Sequence, residues 1–199
     1  DAAGRGLDVV LCEKSDLASA TSSSSSKLIH GGLRYLEFYE FGLVRKALRE
    51  RDVLVMAAPH IIRPMAFQIP QLPHSRNALL IRAGLFLYDN LTRRKSFKHS
   101  SSIRFDRDGP LNAAIRKGFE YFDAQVDDSR LVVLNALQAR QQGASILTRT
   151  ECTAISSEEG GWQVTLRDHL KGSDSIRFFR VIVNASGPWV ASLLEGLTH

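Results

Sequence analysis

Cysteine is nearly absent: Cys12 and Cys152 are the only two in 199 residues, and they stand in separate apolar contexts. That spacing excludes a zinc knuckle or a disulfide framework and makes a reducing, cytosol-facing compartment the default. No apolar run approaches the roughly 20 residues that a bilayer-spanning helix needs, and nothing has the layout of a signal peptide, so a transmembrane or secreted reading has little support. Also missing are an internal repeat, an obvious linker and a glycine-rich nucleotide turn. What is present, 44% hydrophobic and 24% charged residues, fits one globular domain or two small ones and excludes a disordered polymer.

The net charge of +5 is modest but unevenly placed. Arg76, Arg82, Arg93, Arg94, Lys95, Lys98, Arg104 and Arg107 are opposed only by Asp89 and Asp106, so this segment carries +6 and the remainder −1. Such a segment suits anionic lipid, nucleic acid or a phosphorylated substrate, or else is a solvated surface patch.

Along the chain, Gly6 reads as a helix stop. Leu7 to Cys12 reads as a buried parallel strand ending at the acid Glu13. Helix, glycine, strand and acid form the second half of a dinucleotide-binding βαβ unit, in which the acid takes ribose hydroxyls; many α/β proteins also end a strand in Glu. On this reading the chain begins roughly 20 residues into a longer fold, past the glycine turn. Residues 17–36, LASATSSSSSKLIHGGLRYL, are the most unusual segment. They are either a serine-rich linker or a helix opening whose hydroxyls and N–H groups cradle a pyrophosphate, with Gly31 and Gly32 letting the backbone approach a flat ring.

Further on, Glu40 to Ala58 reads as an amphipathic helix with Val44, Ala47, Leu48 and Val55 inward and Arg45, Lys46, Arg49 and Asp52 outward. Met65 to Pro70 reads as a strand. Asn77 to Leu91 reads as a nearly all-apolar helix, packed in the core or, given its basic flanks, lying in a membrane interface. A strand over Lys117 to Val126 and a helix over Asp127 to Gln142, capped at Asp127 or Asp128 and stopped by Gly143, come next. Four strands follow, Ser145 to Thr148, Glu151 to Ser156, Trp162 to Arg167 and a buried Ser175 to Asn184, the last running into a helix through Ala185-Ser186-Gly187.

SSSSSKLIHGGLRYLE, YEFGLVRKALRERDVL, RKGFEYFDAQVDDSRLV and VNASGPW occur in that order. Together they resemble the FAD-dependent, quinone-linked glycerol-3-phosphate dehydrogenase family over essentially the whole chain. The resemblance implies an α/β fold with α+β elements: an FAD-binding domain of the glutathione-reductase-like, D-amino-acid-oxidase-like class, with part of an antiparallel-sheet substrate domain. Residues 1–58 and 127–199 would belong to the FAD-binding domain, and 59–126 to a substrate- or membrane-facing cap.

For the cofactor, FAD, the resemblance implies Glu13 at the adenosine ribose and Thr21, Ser22 and Ser25 at the pyrophosphate. It places Lys27, Leu28, His30 and Gly31 under the isoalloxazine, Cys152 at the adenine, and Ala185, Ser186 and Gly187 near the ADP. For the substrate it implies Arg34 and Tyr35. Arginine suits a phosphate because its planar fork donates twice, and Arg34 could clamp or polarise the substrate. His30 could relay a proton or tune the flavin, or simply hold structure. His60, His74, His99 and His169 read as surface or structural residues.

The implied reaction oxidises glycerol 3-phosphate to dihydroxyacetone phosphate, with hydride transfer to FAD and proton transfer to a base. Electrons would pass to a membrane quinone, which implies peripheral attachment at the cytoplasmic face of a bacterial inner membrane, a cytoplasmic location being the alternative; a homodimer stays open. The missing glycine turn and later basic residues imply that these residues alone form a partial, inactive site. An amino-acid or amine oxidase of the same fold is the alternative. Nucleic-acid binding has little support, because Phe86, Tyr88, Phe97 and Phe105 sit mostly in apolar settings rather than as a stacking row.

Overall fold

The computed structural model describes all residues except Pro73, 93–95 and 196–199, and omits the side chains of Ser192 and Glu195. Arg93, Arg94 and Lys95 of the basic segment thus lie outside the described residues. The chain forms two compact units, one of residues 1–23 and 132–199 and one of 24–131. Residues 24–58 pack with 59–131 because a short strand near Lys27 joins the sheet of that unit.

In the first unit, a single turn at Ala3–Arg5 is closed by Gly6 at φ +80°. Strand β1 (Val10–Glu13) then pairs in parallel with β6 (Ser145–Thr148), Glu13 opposite Thr148. Parallel pairing requires a crossover, here through helix α4 (Asp128–Gln141), as in any βαβ arrangement. Asp127 Oδ1 accepts the Arg130 N–H at 3.1 Å, and Gly143 at φ +97° ends the helix. Strand β1 is shorter than the expected Leu7–Cys12 and only half-buried, with Leu7 and Leu11 exposed.

An antiparallel meander follows, β7 (Thr150–Glu158), β8 (Gly161–Asp168) and β9 (Ser173–Phe179), with β8 in the middle. Alternate residues of β8, Val164 and Leu166, point into a core with Ile155, packed by Leu147, Cys152, Phe179 and Ile182. The fourth strand departs from its expected Ser175–Asn184 bounds. It stops at Phe179, and Ile176, Phe178, Val181 and Val183 are exposed. As an edge strand pairing only with β8, β9 has a face that no described element covers.

The second unit is built on β5 (Lys117–Val126), which, like β6, matches its expected bounds. Antiparallel to it run β2 (Leu28–Ile29), β3 (Ile62–Pro70) and β4 (Ser101–Arg104). Strands β2 and β4 are too short to show alternation, and no sequence signal marked them. Helix α2 (Phe41–Ala57) turns Val44, Leu48, Arg51 and Val55 inward, the i, i+4, i+7, i+11 stripe of a buried face. Burying one such aliphatic side chain contributes about 1.5–3 kcal/mol before entropy.

Helix α3 (Ala78–Asn90) starts at an Asn77 cap whose side chain accepts the Leu79 N–H at 2.8 Å. One side of it is buried, at Leu85, Tyr88 and Asp89, and the other is not, with Leu79 78% and Phe86 61% exposed. Two short helices, α1 (Thr21–Ser24) and α5 (Val190–Glu195), and 3-10 helices at Leu33–Phe38 and Gly187–Trp189 are the remaining described elements.

Candidate active site

Two groups of candidate residues assemble, one in each unit. In the first unit, Glu13 ends β1 half-buried and its Oε1 accepts the Ser15 N–H at 2.9 Å, which holds the carboxylate at the strand terminus. Cys152 lies on β7 at a register shift between Cys152 and Ala154. Burial, then the neighbouring Cys12 thiol, pushes the Cys152 thiol up to about 11, so both cysteines are poor nucleophiles near neutral pH. The Ala185-Ser186-Gly187 turn is tied by Asn184, whose Oδ1 accepts from Ser186 N–H at 3.2 Å and Ser186 Oγ at 2.7 Å. Lys14 Nζ stands 5.7 Å from the Trp189 ring centroid, bringing this turn alongside the end of β1.

Helix α1 spans only Thr21–Ser24, too short for a developed macrodipole. What it offers an anion is therefore hydroxyls and local N–H groups rather than a dipole, with Thr21 exposed and Ser22 half-buried. Arg149 and Asp16, 3.7 Å apart, brace the preceding loop.

In the second unit Ser25 is already engaged: its Oγ contacts Asp128 and accepts the Lys27 N–H at 3.2 Å. Lys27 sits at φ +59°, a left-handed conformation that costs a non-glycine residue about 1 kcal/mol or more. The Val126 N–H donates to the Lys27 carbonyl at 2.9 Å and holds it there. Leu28 follows in β2, His30 is exposed, and Gly31 and Gly32 are buried. A 3-10 helix, Leu33–Phe38, then presents Arg34 and Tyr35 to solvent.

The two glycines are required for separate reasons. A Cβ on Gly31 would lie 2.4 Å from Leu48 Cδ2 and 2.5 Å from the Tyr88 hydroxyl, so the core beneath excludes any side chain. Gly32 takes φ +74°, and a Cβ there would meet the Tyr35 ring at 2.6 Å.

Beneath this segment lies a buried polar cluster. Arg51, fully buried, is 2.6 Å from Asp123, which is 2% exposed. Its Nη2 also meets Asp52 at 3.1 Å, and its guanidinium carbon stands 3.7 Å from the Phe97 ring centroid. The Tyr88 hydroxyl donates to Asp123 at 2.9 Å and accepts the Gly31 N–H at 2.8 Å. Burial, then the Asp123 charge, lifts the Tyr88 hydroxyl far above the usual phenol range, so it stays protonated as a donor. Arg51 and Asp123 were not singled out from sequence, and Tyr88 was named only among the aromatics of the basic segment. The available signal was Arg51 itself, a cation standing on the apolar stripe of α2.

Part of the basic segment is structural. Arg76 pairs with Glu37, and Arg82 Nη1 donates to Ser100 Oγ at 2.8 Å. Ser100 in turn donates from N and Oγ to Asp89 Oδ2, at 2.8 and 2.6 Å, fastening the end of α3. Glu151 and His169 pair at 2.9 Å.

Residues 1–199 match the family described as DAO, FAD dependent oxidoreductase. The chain belongs to the FAD-dependent oxidoreductase family. A glycerol-3-phosphate dehydrogenase of Pseudomonas aeruginosa is 57% identical over 199 residues, covering 98% of this chain and 38% of that protein. A D-erythritol 1-phosphate dehydrogenase of Brucella abortus is 53% identical over 200 residues, covering 99% and 40%. The crystal structure of a glycerol-3-phosphate dehydrogenase from Bacillus halodurans complexed with FAD superposes with a TM-score of 0.69 at 25% identity, over 98% of this chain and 32% of that one. The chain thus spans about 38% of the length of the curated relatives it matches.

The mixed α/β architecture is that of this oxidoreductase family, and FAD is its cofactor. The side chains fit that group. Glu13 supplies a strand-terminal carboxylate of the kind that accepts from ribose hydroxyls, Thr21 and Ser22 supply hydroxyls, and Gly31 and Gly32 bring no side chain to the segment between them and Arg34.

Proposed function

We propose that this chain forms the flavin-facing and part of the substrate-facing portion of a dehydrogenase that oxidises glycerol 3-phosphate to dihydroxyacetone phosphate. The observation that carries the reading is the 57% identity, over nearly the whole chain, to a glycerol-3-phosphate dehydrogenase, together with Arg34 and Tyr35 standing exposed just after the Gly31-Gly32 turn. FAD, when bound, supplies the two-electron acceptor.

Glu13 would hold the ribose, and Thr21, Ser22 and Ser25 the pyrophosphate. Lys27, Leu28, His30 and Gly31 would line the ring, with Cys152 and the Ala185-Ser186-Gly187 turn toward the ADP. Arg34 would orient the substrate phosphate through its two-donor fork, with Tyr35 beside it. His30 is placed to hold or pass a proton at the same segment. The chemistry shared with D-erythritol 1-phosphate is a terminal phosphate and an oxidisable alcohol, so the longer polyol phosphate is the competing substrate.

Initial rates with both phosphates, with glycerol and with glycine, measured on the protein from the complete reading frame, separate these readings. Glycerol 3-phosphate is expected to give the highest kcat/KM. A higher value with D-erythritol 1-phosphate would move the assignment to that substrate, and turnover of glycine alone would move it to an amino-acid oxidase.

We further propose that electrons leave for a membrane quinone and that α3 attaches the protein peripherally, at the cytoplasmic face of a bacterial inner membrane. No described helix is long and apolar enough to cross a membrane, but Leu79, Leu80 and Phe86 form an outward apolar face next to a basic segment, the composition of an interfacial helix. Leu79→Glu combined with Leu80→Glu is expected to weaken cosedimentation with anionic phospholipid vesicles about 10-fold or more, given the transfer energy of two leucines. Unchanged vesicle binding would remove α3 from that role.

A further inference from the structure

An arginine on the apolar stripe of a helix has to be explained, because replacing a buried ion pair by apolar side chains is often neutral or stabilising. Stability alone therefore does not account for Arg51 and Asp123. The geometry shows what else they do. Arg51 Nη1 donates to Asp123 Oδ1 at 2.6 Å and to the Phe122 carbonyl at 3.3 Å. Asp123 accepts the one Tyr88 hydroxyl proton, its two oxygens both 2.9 Å away. With its proton committed, the Tyr88 oxygen has only lone pairs left to offer, and it receives the Gly31 N–H at 2.8 Å.

Asp123 Oδ1 stands at 3.4 Å from the same N–H. The polarity of the chain is thereby fixed from Arg51 through Asp123 and Tyr88 to one peptide group. That peptide precedes Gly32 at φ +74°, whose turn starts the 3-10 helix carrying Arg34 and Tyr35.

We infer that Tyr88, oriented by Asp123 and Arg51, is a positioning residue: its hydroxyl fixes the Gly31 peptide and so sets where Arg34 and Tyr35 stand for the substrate phosphate. The Arg34 and Tyr35 part of this statement rests on the proposed function; the hold on Gly31 does not. The Tyr88 ring also has a packing role, against Val44 and Leu48 and edge-on to Tyr121 at 6.2 Å between centroids. Tyr88→Phe preserves that packing and removes only the oxygen.

In the complete reading frame, Tyr88→Phe is expected to bind FAD in full stoichiometry, to raise KM for glycerol 3-phosphate about 10-fold, as for one displaced charged contact, and to leave kcat within about two-fold. The visible circular dichroism of the bound flavin is expected to change as well, because the peptide beside it moves. A lowered melting temperature in Tyr88→Phe with unchanged KM and unchanged dichroism would make Tyr88 merely structural and overturn the inference.

Should Tyr88→Phe fail to fold, the Gly31 amide in the unmodified, 15N-glycine-labelled protein decides: strong protection from hydrogen exchange supports the inference, and exchange at an unprotected rate refutes it. If the unmodified protein does not turn over glycerol 3-phosphate, the functional reading fails while the dichroism and exchange results still judge Tyr88.

Discussion

Replacing Asp123 by alanine is expected to destabilise the protein by about 3–5 kcal/mol, because it removes the nearer of the two carboxylates that a fully buried cation contacts. Arg51 has no exposure to water, and its other carboxylate, Asp52, is in contact at 3.1 Å from Nη2 only and 3.4 Å from Nε. Removing Asp123 takes away the 2.6 Å partner of Nη1 and the acceptor of the Tyr88 hydroxyl together. The companion variant, Arg51→Met with Asp123→Leu, removes both charges at once and is expected to lose much less. Thermal and denaturant unfolding of the two variants checks the difference; equal losses would mean that volume, not charge, governs this site.

The second large effect concerns Arg34. Its guanidinium is exposed on the 3-10 helix, so Arg34→Ala should leave the fold intact while removing a charged contact to the phosphate. Hydrogen bonds to charged groups contribute about 1.5–3 kcal/mol, which corresponds to a loss of about 10- to 150-fold in kcat/KM for glycerol 3-phosphate. Arg34→Lys should recover part of this, since it restores the charge but not the planar fork. Steady-state kinetics on the FAD-loaded protein provide the check, and a change of less than about 3-fold would remove Arg34 from the phosphate contact.

Much of the fold was legible because its signals are local. The α2 stripe, the Gly143 stop and the bounds of β5 each follow from residues within one element. What was illegible depends on partners distant in sequence. Strand β2 has two residues and exists only because Leu28 and Ile29 pair with Gln125 and Ala124. Strand β9 stops at Phe179 because its one partner, β8, begins at Gly161 and offers no residue to pair beyond Trp162, a limit that the apolar run through Val183 does not mark.

The candidate site divides in the same way. The residues proposed to face the cofactor and the phosphate come mainly from the SSSSSKLIHGGLRY and NASGPW segments, through the family resemblance that those segments carry. The cluster beneath them could not be read that way, since Arg51, Tyr88 and Asp123 come from three elements and are joined only by folding. Gly31 illustrates the difference: sequence reasoning took it as room for a flat ring, and the structure adds that Leu48 and Tyr88 forbid a side chain from below.

The most direct test of the central claim is anaerobic addition of glycerol 3-phosphate to the protein from the complete reading frame while its visible absorbance is recorded. The account predicts a flavin band that bleaches stoichiometrically on adding the phosphate ester. A flavin band that stays oxidised with glycerol 3-phosphate, or a colourless protein that cannot be reconstituted with FAD, would contradict it.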